Sequence, residues 1–243
     1  CTLPIYLISQ PDLDTFYALQ HLAALDSLLH GSECDALSSE ALTLAQALDP
    51  GPSKLADVFL SRAVVLDSLA RQAESVMYLR EAARLAGDAD PAIVVLAELN
   101  LGNALNVHDP SAAADAARRS IAIAQRSGVL YGLNTSIVNL AIALIALGDW
   151  DEAERALHEI LPEGSIAEDD YVQCSLAWLT AMRGRPDDAA RRLDGLQRFL
   201  DTEDPQDLAM IATTRAFIAE AEGRPELALQ HAITSLSHVE SGL

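Results

Sequence analysis

The residues whose types could do chemistry in this chain are six histidines, three cysteines and a few close carboxylate pairs, and their spacing argues against most of it. His158-Glu159 begins like a zinc-binding helix but lacks the second His such a helix needs. Asp169-Asp170 and Asp187-Asp188 would serve as acid and base only if two environments pushed their pKa values apart. Both pairs fall at expected helix starts, where negative charge suits the helix dipole, so we read them as capping groups. Gly51-Pro52-Ser53-Lys54 has neither the spacing nor the following hydroxyl of a phosphate-binding loop. Cys1, Cys34 and Cys174 are odd in number and far apart, which supports neither a disulfide framework nor a zinc site and points to a reducing cytoplasm. Arg183, Arg185, Arg191, Arg192 and Arg198 form one basic cluster, expected as a solvated face paired with neighbouring acids. The expectation is a chain with no catalytic centre, no metal and no cofactor.

The elements that would position these residues are helices. Half of the 243 residues are hydrophobic yet only 5% are aromatic, and Ala and Leu make up the difference. These two lead the helix propensity ranking, while β-branched and aromatic residues lead in strands. The chain carries 36 acidic and 16 basic side chains, a formal charge of −20. A surface this negative repels phosphate backbones and anionic membranes, so nucleic acid and membrane are excluded as partners. The most apolar run, Ile137 to Leu147, is broken by Asn139 and is too short to span a bilayer. Lys54 is the only lysine, a usage typical of a GC-rich bacterial genome. The chain begins at Cys1 without a recognisable secretion signal and reads as a piece of something longer.

A repeat organises the chain. Small residues stand at Ala24, Ala63, Gly102, Ala141, Ala177 and Ala216, at spacings of 39, 39, 39, 36 and 39. Seven residues after each comes a turn position, at Gly31, Ala70, Asp109, Gly148, Gly184 and Gly223. Five residues further on stands a second small residue, at Ala36, Ser75, Ala114, Ala153, Ala189 and Ala228. Two helices crossing at close range need small side chains at the crossing, and a Gly with φ > 0 ends a helix. Pro110, Pro186 and Pro225 suit the first turn of the helix that follows. The pattern predicts an all-α fold of about six helical hairpins, at roughly 12–47, 53–86, 91–127, 129–161, 168–202 and 205–240, after a lead-in segment 1–11. Twelve helices result, with second helices at about 34–47, 72–86, 110–127, 150–161, 186–202 and 225–240.

The grammar resembles the tetratricopeptide repeat. Leu101-Gly102-Asn103 matches that repeat's Leu-Gly pair, Asn139-Leu140-Ala141 stands in the same place one copy later, and Gly148-Asp149-Trp150 occupies its turn. The period departs from the family's usual length of about 34 residues, and most first helices lack the usual aromatic. Long, Ala-rich copies of this kind resemble the sensor and interaction arms of MalT-type, LuxR-family and related actinobacterial ATPase regulators. The resemblance implies a right-handed superhelical solenoid over residues 12–243, with first helices lining a concave groove.

Carrying over the family's groove positions gives His21, Leu60, Leu99, Asn103, Asn106, Val138, Ile142, Tyr171, Trp178 and Phe217 as the candidate binding wall. A mostly apolar wall wants an amphipathic helix, an apolar peptide or another domain of its own chain, while an aromatic beside amides also suits a small effector. The ionisable groups among the groove positions, His21, Asp57, Asp67 and Glu220, are spread over different hairpins, which argues against an enzyme. The reading is a non-catalytic, cytoplasmic binding scaffold, the sensor or interaction arm of a larger bacterial transcriptional or signalling regulator. The alternative is a stand-alone adaptor, and hairpins left bare at the ends are expected to meet either a continuation of the stack or a second copy in a homo-oligomer.

Overall fold

A computed structural model describes residues 13–28, 33–159, 170–196 and 201–241. These residues form twelve α-helices and no strand. The helices are α1 (Leu13–Leu28), α2 (Cys34–Leu48), α3 (Pro52–Ser68), α4 (Gln72–Ala86), α5 (Pro91–Leu105) and α6 (Pro110–Ser127). The second half contains α7 (Leu133–Leu147), α8 (Trp150–Glu159), α9 (Asp170–Met182), α10 (Pro186–Asp194), α11 (Pro205–Ala221) and α12 (Pro225–Ser241). Odd-numbered helices are the first members of hairpins and even-numbered helices the second.

Helix ends follow local chemistry. Asp109 accepts a hydrogen bond from the Ala112 amide at 3.0 Å, and Asp204 accepts from Gln206 and Asp207 at 2.8 and 3.3 Å. A Pro follows each cap, where its missing N–H leaves nothing orphaned. At the opposite ends, Ala70, Gly148, Gly184 and Gly223 all take left-handed φ, between 56° and 84°. The amide after each donates back five residues, as Asp149 does to the Leu144 carbonyl at 2.9 Å. This closed turn satisfies carbonyls that the helix end would otherwise leave open.

Two boundaries differ from expectation. The seventh helix, expected from 129, starts at Leu133, because Gly128 (φ 75°) stops α6 and Gly132 (φ 80°) redirects the chain. The tenth, expected to reach 202, ends at Asp194 in a bend that returns Leu196 to the core. The lead-in segment 1–11, Gly31 and the end of the eighth helix at 160–161 lie outside the described residues.

The small-residue columns are crossing points, as the repeat requires. Ala63, Ala141 and Ala177 are fully buried, and so are Ala153 and Ala189 on the facing helices. A Cβ built on Gly102 would stand 3.5 Å from the Ala113 carbonyl oxygen, so the α5 and α6 backbones nearly touch there. The first hairpin keeps a different register: Ala36 is exposed, and Cys34 is buried beside Ala23 instead. The side chain of Ala24 falls outside those described.

Curvature follows from which helices meet. Each first helix packs on the next first helix, from α1–α3 through to α9–α11, while successive second helices have at most marginal contact. The stack therefore bends with first helices inside and second helices splayed outside. Between α4 and α6 the splay opens a groove of about 510 Å³ floored by α5.

Candidate functional site

The inner wall is built from whatever the first helices do not bury. Helix α7 is enclosed along most of its length, with Ser136 through Ala141 and Ala143 through Ile145 buried. Ile142 is the exception in that run, and the same helical position is open or half-open in each of the other copies whose side chain is described. The position holds Val64, 46% exposed, then exposed Asn103, and then half-buried Ile142, Trp178 and Phe217. Ile142 and Trp178 rest on one core cluster and Phe217 on the next. The Trp178 and Phe217 rings lie 5.1 Å apart at 31°, joining neighbouring hairpins across the wall. Ile142, Trp178 and Phe217 thus make an apolar seam across three first helices.

The other expected wall residues divide by helix rotation. Leu60 and Val138 are buried in the core and spend their side chains on hairpin packing. His21 is exposed, with Nδ1 2.7 Å from the Tyr17 carbonyl oxygen. Leu99 is half-buried, and its carbonyl accepts from Asn139 Nδ2 at 3.2 Å. Asn106 caps α5, half-buried, with its Oδ1 enclosed and without a hydrogen-bond partner among the described residues. Tyr171 is also half-buried, and its hydroxyl donates to Asp207, whose other oxygen accepts from Thr202 at 3.0 Å. That hydroxyl therefore ties α9 to α11.

Sequence reading missed a polar set at the start of the wall. Gln20 Nε2 donates to Asp57 Oδ2 at 2.9 Å and to Ser61 Oγ at 2.7 Å, linking α1 to α3. Behind it Arg62, only 7% exposed, reaches Asp35 at 2.6 Å and Ser38 Oγ at 2.5 Å. A lone Gln and a lone Arg on apolar helices carry no spacing signal, because their partners lie 24 to 41 residues away.

Titration is perturbed at two positions on first helices. Burial raises the Asp67 carboxyl above the ordinary carboxylate value. Burial also pushes the Cys174 thiol up to about 11, against the opposing pull of Thr214, whose Oγ1 lies 3.1 Å from the sulfur. That thiol stays protonated at neutral pH and is a poor nucleophile. The basic cluster of the fifth hairpin is spent on neighbours: Arg183 on Asp151 and Glu154 at 2.6 and 2.7 Å, Arg191 on Asp188, and Arg192 on Gln173 at 2.6 Å. Arg198 lies outside the described residues. Among the described residues no three His, Cys, Asp or Glu gather as a metal site, and no helix is long and apolar enough to cross a membrane.

No protein-family model and no curated protein matches the chain. The solved structure of the apo form of RapI is similar, with a TM-score of 0.67 at 10% identity, covering 93% of this chain and 82% of that one. The fold is a tetratricopeptide-like helical repeat. At this identity the likeness extends to the fold alone.

Proposed function

We propose that the chain is a non-catalytic binding scaffold whose inner wall takes an amphipathic helix or apolar peptide across Ile142, Trp178 and Phe217. The seam carries this reading: three large apolar side chains on successive first helices stay half-buried and rest on the core clusters beneath them. Wet apolar surface in a concave setting gains free energy when a partner covers it, about 25 cal/mol per Å² before ordering costs. The finer reading, an interaction arm of a larger bacterial regulator, rests on the repeat's resemblance to the arms of MalT-type and LuxR-family proteins. It predicts a phosphate-binding loop or a DNA-binding module elsewhere in the full-length chain.

The test of the wall is a displayed library of helical peptides selected on the chain and re-measured on Trp178→Ala. Large aromatics at interface centres are typical hot spots, so the selected peptides should lose about 30-fold or more in affinity. Peptides that bind the variant as tightly as the parent, with circular dichroism unchanged, would place the binding surface elsewhere.

A further inference from the structure

On the outside of the stack, carboxylates early in second helices tie neighbouring hairpins together. Asp35 of α2 accepts from Arg71, at the head of α4, at 2.9 Å, and Glu152 of α8 accepts from Arg118 of α6 at 2.9 Å. Both acids stand four residues after their turn position, as Glu74 and Asp188 also do. Helix α6 breaks the column: the same position holds Ala113, fully buried, with Ala112 beside it. Among the described residues no ion pair joins α4 to α6.

The step that lacks this carboxylate is open. Its groove of about 510 Å³ has Arg80 and Arg84 on the α4 wall, Arg119 on the α6 wall, and Leu101 and Leu105 on the α5 floor. Glu98, 9% exposed in that floor, accepts two hydrogen bonds from Arg119 at 2.9 and 2.8 Å. The pair cancels one charge and fixes the guanidinium across the groove. Asp115, the other acid of the lining, lies 3.5 Å from Arg118. Arg84 pairs with Glu81 one turn before it, an exposed contact that contributes little. Arg80 is exposed and has no ion pair among the described residues. Three of the 16 basic side chains thus surround one groove in a chain of charge −20.

We infer that this outer groove docks an acidic segment of a partner protein, whose carboxylates meet Arg80 and Arg84 while an apolar side chain covers Leu101 and Leu105. The partner supplies the carboxylate that α6 lacks, as Asp35 and Glu152 do at the neighbouring steps. Arg suits the task because its planar fork can hold a carboxylate by two parallel hydrogen bonds. At physiological salt the Debye length is about 8 Å, so the distant acids behind the net charge are largely screened, whereas a carboxylate touching a guanidinium is not. The local charge therefore decides. The groove lies among the second helices, outside the stack, and its occupation does not depend on the inner wall.

Selection of a displayed peptide library on the Trp178→Ala variant tests the groove with the inner wall disabled. Enriched peptides should carry Asp or Glu beside an apolar residue. They should bind about tenfold or more weakly when Arg80→Gln and Arg84→Gln are combined. Both positions are exposed, so circular dichroism should match the parent. Gln in place of the peptide's acids should give a similar loss, and the two changes together should add little further, as expected of groups that meet. Arg126→Gln with Arg155→Gln, an equal change of charge outside the groove, should cost about twofold or less. The inference is overturned if no acidic peptide binds below about 100 μM in about 150 mM salt. It is equally overturned if the groove pair weakens binding no more than the control pair, or if peptide acids and arginines act additively. A parent that self-associates through Arg80 and Arg84 gives the groove to a second copy and also overturns it.

Discussion

Asp67 is the residue whose environment most clearly opposes its charge. It sits in the last turn of α3, where the helix dipole is negative, and burial lifts its carboxyl above the ordinary value of 3.8. The folded chain therefore holds that proton more tightly than the unfolded chain does. The contribution to stability is complete below the unfolded pKa and is lost as pH rises through the folded one. Asp67→Asn should raise the urea midpoint at pH 7, with the gain shrinking toward zero near pH 3. A gain independent of pH would show that the carboxylate is not the cause. Tyr171 and Arg62 teach the opposite lesson, since each polar group is fixed by partners on another helix and works as a structural tie.

At the scale of the element, the turns are where sequence and geometry disagree by a measurable amount. Ala70 takes φ 56° in a turn that Gly148, Gly184 and Gly223 occupy at 72° to 84°. A Cβ in that region crowds the following carbonyl at a cost of about 1–2 kcal/mol. Ala70→Gly should therefore stabilise the chain by about 1 kcal/mol, after the added freedom of the unfolded Gly is subtracted. Gly148→Ala should destabilise it by about 1–2 kcal/mol through the backbone alone, because nothing lies within 4 Å of the added Cβ. Chemical denaturation of the two variants should move in opposite directions. Shifts of the same sign would contradict the shared turn geometry.

Across the whole molecule, stability is divided among clusters that each join neighbouring hairpins, with no single centre. Leu157 is fully buried in the largest of these, and Leu157→Ala should cost about 2–5 kcal/mol. In a quasi-one-dimensional stack the loss should stay local. Hydrogen exchange should quicken in α7, α8 and α9 while α3 and α4 retain their protection. Uniform acceleration along the chain would mean that the hairpins unfold as one unit.

The order of hairpins, the crossing residues Ala63, Gly102 and Ala141 and the turn positions at Gly148, Gly184 and Gly223 were legible in the sequence. Each depends on a local rule or on a near-constant spacing that survives from copy to copy. Where the spacing breaks, as in the first hairpin, sequence chose Ala36 and the fold buries Cys34, because a column read from later copies cannot register an insertion. The rotation of each first helix was not legible either. Leu60 and Val138 face the core while Val64, Ile142 and Trp178 stay open, and a rotation of a fraction of a turn, set by packing on four sides at once, decides between them.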